Sequence, residues 1–106
     1  MSNYMRLLVL FDLPVGTGLE RKAASRFRTF LLTDGYYMIQ FSCYCRICGS
    51  FEIADKHERR LEANLPVKGS VRSLVVTEKQ FSRMKILVGE HVSNEVKIHS
   101  EQLVLF

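Results

Sequence analysis

The chain has 106 residues, of which 47% are hydrophobic and 25% are charged, values that are ordinary for a single globular domain. Lysine and arginine outnumber aspartate and glutamate by 15 to 11, and this mild excess permits a polyanionic partner without demanding one. The longest clean apolar run, residues 7–11, is too short for a membrane span or a signal-peptide core. We therefore expect a cytoplasmic protein with no membrane segment.

The first predicted element is a strand over residues 5–13, a nearly continuous apolar run of the kind found in a central strand. Asp12 lies at its carboxyl end, just before the turn at residues 14–16. A charged side chain at this point is paired, accepts hydrogen bonds from the turn amides, or binds a cation. Because a lone aspartate is not a motif, hydrogen bonding to the turn is the simpler interpretation.

A helix is predicted next, beginning at the capping box formed by Thr17 and Glu20 and running to about residue 33. Apolar residues recur at helical spacing and predict one buried stripe, made of Leu19, Ala23, Phe27, Phe30 and Leu31. Four basic residues are predicted elsewhere on the helix, with Arg21 and Arg28 on the opposite face and Lys22 and Arg26 on its flank. This set is a candidate phosphate-contacting surface, although a merely solvated helix face shows the same charges.

Two strand-like runs follow over residues 36–40 and 43–48, joined by a tight hairpin or a bulged connection. The second run contains Cys43, Cys45 and Cys48, and on a strand the first two share one face while the third points to the other. Buried thiols in a reduced compartment are the simpler interpretation. A zinc site would need a fourth ligand, for which only His57 is within reach in sequence.

A second helix is predicted over residues 51–65, beginning after Ser50 and ending at Pro66. Its predicted inward positions are Phe51, Ala54, Leu61 and Leu65. A fourth strand follows over residues 70–78, and a short apolar stretch lies at residues 84–88. The last four residues are apolar, and we expect them to dock on a partner or on a dimer: Leu103, Val104, Leu105 and Phe106.

The order β-α-β-β-α-β predicts an α+β fold of the ferredoxin-like type, a four-stranded antiparallel sheet with two helices on one face. An additional C-terminal strand has no place in that unit, and two units packed through their open sheet faces would bury it. The predicted division is a domain over residues 1–90 and a C-terminal tail over residues 91–106. One Asp12 carboxylate is a poor Mg²⁺ site, but a two-fold dimer would supply a second copy.

Three stretches of the chain together carry a resemblance to a known family: RLLVLFDLP at residues 6–14, FRTFLLTDGYYMIQ at residues 27–40 and GSVRSLVVTEKQFSRMKILVG at residues 69–89. The strand-end FD, the FR-x-FLL-x-DG helix end and the VTE-x-QF turn are specific in combination. The chain resembles the CRISPR-associated "Cas-two" endoribonuclease family, the small core subunit of the CRISPR adaptation machinery, in the form that accompanies type II systems. The cysteine-rich strand departs from the aliphatic residues expected there.

The resemblance implies a homodimer with two ferredoxin-like sheets packed face to face. It places the metal-binding and catalytic acid at Asp12, with Mg²⁺ as the cofactor for cleaving RNA or double-stranded DNA. It also implies a non-catalytic role, in which the dimer binds spacer duplex DNA and bridges dimers of the larger adaptation integrase. In that role the C-terminal segment docks the integrase. Four basic residues are the expected phosphate holders by position and charge: Arg21, Lys22, Arg26 and Arg28.

The alternative function is a small toxin-type endoribonuclease on a related ferredoxin-like fold, unrelated to spacer acquisition. A genomic neighbourhood without adaptation genes would favour that alternative.

Overall fold

The computed structural model describes residues 4–89 of the chain. The elements within these residues are, in order, β1 Met5–Asp12, α1 Gly18–Thr33, β2 Tyr37–Gln40, β3 Cys43–Cys48, α2 Phe51–Glu62, β4 Ser70–Thr77 and α3 Glu78–Ser82. The strands form one antiparallel sheet in the order β2-β3-β1-β4. The predicted ferredoxin-like α+β fold is confirmed.

Both long helices begin where the sequence predicts, because side chains satisfy their free amides. The Thr17 hydroxyl accepts a hydrogen bond from the Glu20 amide, and the Glu20 carboxylate accepts one from the Thr17 amide, each at 3.1 Å. The Ser50 hydroxyl accepts from the Ile53 amide at 3.2 Å. None of the helices between residues 4 and 89 is long and apolar enough to cross a membrane.

Helices α1 and α2 cover one face of the sheet, and the main core lies between them and the strands. Leu7, Val9 and Phe11 supply the side chains of β1 that point into it. Phe11 meets Phe27 of α1 edge-on, with ring centroids 5.2 Å apart, an orientation that aromatic pairs prefer. Because β1 lies between β3 and β4, its apolar run is explained as that of a central strand.

The buried stripe of α1 differs from the predicted one at its beginning. Phe27 and Leu31 are buried and Phe30 is half-buried, as predicted. Leu19 was predicted inward but is 81% exposed, while Ala24, which was not predicted, is buried. The prediction of Leu19 is wrong because the first turn of the helix lies outside the core that Phe27 and Leu31 join.

The predicted inward residues of α2 are right in the middle of the helix and wrong at its ends. Ala54 and Leu61 are buried, whereas Phe51 is 60% exposed and Leu65 is also exposed. The helix ends at Glu62 rather than at residue 65, so Leu65 is no longer part of the helical stripe.

Sequence analysis did not predict α3, which begins directly after β4. The strand ends at Thr77 rather than at residue 78, because the Thr77 hydroxyl accepts from the Gln80 amide at 3.0 Å and starts a helix. Thr-x-x-Gln is a capping box that could have been read from the sequence. Residues 84–88 do not form a strand. The rest of the predicted additional strand and the tail over residues 91–106 lie outside the described residues.

Candidate functional site

The second face of the sheet, which we call the open face, carries the even-numbered side chains of β1. These are Arg6, Leu8, Leu10 and Asp12, and they alternate with the core positions. The two halves of this face differ, since Arg6 and Leu8 are buried, while Leu10 is 44% exposed. Helix α3 is the reason, because its Phe81 packs on the half that contains Leu8.

Arg6 is fully buried, yet its guanidinium has a partner at each nitrogen. Nε and Nη2 donate to the two carboxylate oxygens of Glu78, at 2.6 and 2.9 Å. Nη1 donates to the Tyr37 hydroxyl at 2.6 Å and to the Cys45 sulfur at 3.7 Å. The group also lies 4.1 Å from the ring centroid of Phe81. This bidentate and stacked arrangement is what allows a charge in the interior of the fold.

The VTE-x-QF stretch therefore has a structural role around Arg6. Thr77 and Gln80 cap α3. This helix places the Glu78 carboxylate within hydrogen-bond distance of Arg6 and the Phe81 ring against the Arg6 guanidinium. Burial alone would lower the pKa of Arg6, but the hydrogen bonds to Glu78 and to Cys45 outweigh it and raise the pKa. Arg6 thus stays charged and belongs to the scaffold of the site.

The three cysteines pack in the fold as free thiols. Cys45 and Cys48 are fully buried on opposite faces of β3, and Cys43 is half-buried. Burial raises the pKa of each thiol, which disfavours the thiolate that a metal would bind. Between residues 4 and 89 no group of three or more histidine, cysteine or acidic side chains could hold a metal ion. The structure supports buried thiols over the zinc hypothesis.

His57 has a partner that sequence analysis missed. Its Nδ1 lies 2.9 Å from Asp34 Oδ2 at the end of α1, and Arg60 Nε donates to Asp34 Oδ1 at 2.8 Å. The neighbouring Gly35 has a φ of 98°, which glycine adopts without strain, and Arg46 donates to the Asp34 carbonyl at 2.7 Å. The Asp-Gly of the second family stretch thus ties α1 to α2 and β3.

Asp12 ends β1 on the exposed half of the open face. The residue is exposed, and no side chain or turn amide between residues 4 and 89 bonds its carboxylate. The amides of Gly16 and Thr17, which could have done so, donate instead to Glu20 at 2.9 and 3.1 Å. The structure does not support hydrogen bonding to the turn, and it leaves the Asp12 carboxylate available to a cation or a partner.

The backbone at Asp12 is packed closely against Gly69, which precedes β4. Gly69 has a φ of 103°, and a Cβ at this position would lie 2.7 Å from the Asp12 carbonyl oxygen. The next residue, Ser70, pairs with Asp12 in the β1–β4 ladder. The end of β1 is therefore held in place by a contact that only glycine allows.

We expect Gly69→Ala to lower the free energy of unfolding by about 2–3 kcal/mol, because the new methyl group forces both a disfavoured φ and a backbone shift. Chemical denaturation followed by circular dichroism measures this loss. Gly49→Ala is the matched control, since a Cβ there would meet only an ordinary contact at 3.7 Å. An equal loss in the two variants would contradict the close packing at Asp12.

The predicted basic residues of α1 fall into two groups. Arg21, Lys22 and Arg26 are exposed along the helix, and no carboxylate among the described residues pairs with them. Arg21 also donates to the Val15 carbonyl at 3.2 Å. Their contact with phosphate stays a prediction.

Arg28 does not project from the solvent face of α1, so its predicted orientation is wrong. It is half-buried, and its guanidinium carbon lies 4.6 Å from the ring centroid of Phe41 and 5.3 Å from that of Phe11. The heptad spacing predicted that Arg28 shares a helix face with Arg21. That spacing carries no information about the rings of Phe11 and Phe41, against which the Arg28 side chain packs.

The predicted docking residues lie outside the described part of the chain: Leu103, Val104, Leu105 and Phe106.

The donor chemistry of Asp12 sets a condition for Mg²⁺. This ion prefers six oxygen ligands and keeps several waters, while the protein supplies one or two carboxylates beside substrate phosphates. Asp12 is one carboxylate, and it belongs to no larger acidic group among residues 4–89. The Asp12 of one chain therefore does not complete such a site by itself.

The fold and the site together define a small ferredoxin-like protein whose sheet face is half covered by its own helix and ends in an unpaired aspartate. The sequence model described as CRISPR associated protein Cas2 matches residues 5–84. The chain belongs to this family, which confirms the resemblance found in the sequence.

Individual relatives match over nearly the whole chain. A protein of Acidovorax ebreus (strain TPSY) is 56% identical over 102 residues, 96% of this chain and 100% of the relative. One of Ligilactobacillus salivarius (strain UCC118) is 44% identical over 95% of this chain and 99% of the relative. One of Campylobacter jejuni (strain NCTC 11168) is 43% identical over 99% of this chain and 73% of the relative. Each is named CRISPR-associated endoribonuclease Cas2.

Proposed function

We propose that this chain is a cytoplasmic CRISPR adaptation protein that acts as a homodimeric scaffold. In this role it binds spacer duplex DNA and bridges dimers of the larger adaptation integrase. The observation that carries the proposal is the set of exposed apolar side chains on the open face, where Leu10, two positions before the unpaired Asp12, is 44% exposed and Leu74, opposite Leu8 on β4, is 55% exposed. Exposed apolar side chains that share one face of a sheet are typical of an interaction surface, and a second copy would cover them.

The basic residues of α1 support the DNA-binding part of the proposal. Arg21, Lys22 and Arg26 are exposed, and the whole chain carries a formal net charge of +4. Helix α1 lies on the face of the sheet opposite the open face, so a dimer through the open faces leaves these side chains accessible. Contacts from arginine and lysine to phosphate supply affinity without reading sequence, as a scaffold for varied spacers requires.

The bridging part of the proposal assigns integrase binding to the C-terminal tail. Its apolar end is a chemically suitable anchor for a groove on a partner protein: Leu103, Val104, Leu105 and Phe106.

The relatives give no support to the alternative function of a toxin-type endoribonuclease, because each is named as a CRISPR-associated protein.

Hydrolysis of phosphodiester bonds in RNA or double-stranded DNA is a second proposed activity, favoured by the unpaired Asp12 carboxylate. Two copies of Asp12 related by a dimer axis would hold Mg²⁺, which when bound supplies an activated water and neutralises charge on the phosphate. The chain itself contributes a carboxylate fixed at the end of a rigid central strand. It also contributes the basic surface of α1 to hold the nucleic acid.

We expect Asp12→Ala to retain spacer acquisition in cells while losing Mg²⁺-dependent cleavage in vitro by at least about 10–100-fold, the range seen even for indirect losses at metal sites. The variant should fold normally, because the Asp12 side chain is exposed and unpaired. Glu52→Ala, which removes an exposed acid from the first turn of α2, is the control.

The two readouts separate the two proposed activities. Loss of spacer acquisition by a folded Asp12→Ala protein would overturn the scaffold proposal, because acquisition would then depend on this carboxylate. Cleavage at the wild-type rate would overturn the hydrolytic proposal.

A further inference from the structure

Arg28 is a half-buried cation that no carboxylate among the described residues neutralises. Its guanidinium stacks near Phe41 and Phe11, at 4.6 and 5.3 Å from the two ring centroids. The Arg28 Nε is buried and has no hydrogen-bond partner. The two rings hold the guanidinium in place, and a cation held without a carboxylate partner is suited to bind an anion from outside the fold.

Phe41 is an exposed aromatic ring held in a defined place. It lies in the turn between β2 and β3 and is 71% exposed, although phenylalanine gains stability from burial. The strand pairing shifts register between Met38 and Gln40, directly before Phe41, and bulges of this kind re-aim the side chains that follow. The Phe11 amide donates to the Ser42 carbonyl at 3.0 Å, which fixes the turn against the end of β1.

We propose that Arg28 and Phe41 form a binding site for an unpaired nucleotide. The base stacks on the exposed face of Phe41, and the adjoining phosphate accepts hydrogen bonds from the terminal nitrogens of Arg28. Aromatic rings beside arginine are the usual means by which proteins hold single-stranded nucleic acid. The inference rests on the proposed function and sharpens it, because it adds an unpaired nucleotide to the duplex that the scaffold holds.

The position of this site determines which nucleotides it can take. A base inside a duplex is stacked between its neighbours and cannot offer a face to Phe41, so the ligand is a single-stranded overhang or a splayed terminal nucleotide. Arg28 belongs to α1, on the covered side of the sheet, so the site stays accessible when the open face is occupied. Phe11 directly precedes Asp12, which places the stack and the acid at the same end of β1.

The test is a binding titration of the full chain by fluorescence anisotropy, with labelled single-stranded oligothymidine, single-stranded oligouridine and a blunt DNA duplex as probes. We expect Phe41→Ala to weaken single-strand affinity at least about fivefold and to leave duplex affinity within about twofold. Phe51→Ala is the matched control, because it removes another exposed phenylalanine at the opposite end of β3. It should change neither affinity.

Two further variants separate stacking from misfolding and from charge. Phe41→Tyr keeps an aromatic face and should therefore keep single-strand affinity. A loss of single-strand affinity in this variant would overturn the proposal. Arg28→Gln should reduce the slope of log affinity against log salt by about 0.7 for the single strand, which corresponds to one phosphate contact. An unchanged slope would overturn the role assigned to Arg28.

The probes also distinguish this inference from the function on which it rests. Duplex binding without single-strand binding by the wild-type protein would overturn the nucleotide site and leave the scaffold proposal standing. Binding of neither probe would overturn both. Phe41-dependent binding of oligothymidine or of oligouridine supports the site and identifies DNA or RNA, respectively, as a source of the nucleotide.

Discussion

Replacing Glu78 with alanine is expected to lower the free energy of unfolding by about 3–5 kcal/mol, the usual effect of removing one partner of a buried ion pair. The effect is large because Arg6 is fully buried and would keep its charge without the carboxylate that binds two of its nitrogens. Equilibrium denaturation in urea, followed by circular dichroism, measures the change.

A double variant that removes both charges shows whether the loss comes from the uncompensated charge. Arg6→Leu combined with Glu78→Leu should recover most of the stability, because a buried ion pair is often replaced by apolar residues at little cost. Lys79→Ala, an exposed change on the same short helix, should alter the free energy by less than about 0.5 kcal/mol. A double variant as unstable as Glu78→Ala would contradict this explanation.

Asp34→Ala is expected to lower the free energy of unfolding by about 2–3 kcal/mol at neutral pH, through lost hydrogen bonds to charged groups. Burial alone would raise the pKa of Asp34, but the bonds from His57 and Arg60 outweigh it and lower the pKa. The stabilisation is therefore fully present above the ordinary carboxyl pKa of about 3.9. It is lost as the pH falls through the lowered native value.

The measurement is the difference in unfolding free energy between wild type and Asp34→Ala, followed from neutral pH down to about pH 3. This difference should shrink towards the acidic end of the series. Asp55→Ala is the control, because Asp55 forms an exposed pair with Arg59 of the kind worth at most about 1 kcal/mol. A difference that stays constant or grows on acidification would contradict the prediction.

The fold was predictable because its determinants are local. The apolar run of β1, the capping box at Thr17 and the hydroxyl of Ser50 each act within a few residues, and each defines an element where the structure has it. The failures at Leu19 and Phe51 have the opposite cause. Helical spacing is visible in the sequence, whereas the place where the sheet stops covering a helix is set by tertiary packing.

Of the candidate site, the acid at Asp12 was predictable from the sequence, but its surroundings were not. A strand-end acid is visible in a sequence, but its lack of a partner is not, because Glu20 takes the nearby amides in the folded turn. Arg6 was hidden within an apolar run, and its partner Glu78 lies 72 positions further along the chain. Contacts of that separation are created by the topology of the sheet and leave no spacing to read.

Helix α3 has a consequence for folding and assembly. It covers the Arg6 half of the open face with residues of the same chain, so the burial of Arg6 and Phe81 does not require a second molecule. Glu78 and Phe81 complete this part of the fold within one chain, unlike the interface of an obligate dimer, whose stability cannot be separated from concentration. In the proposed dimer, unfolding and dissociation would therefore be distinct equilibria.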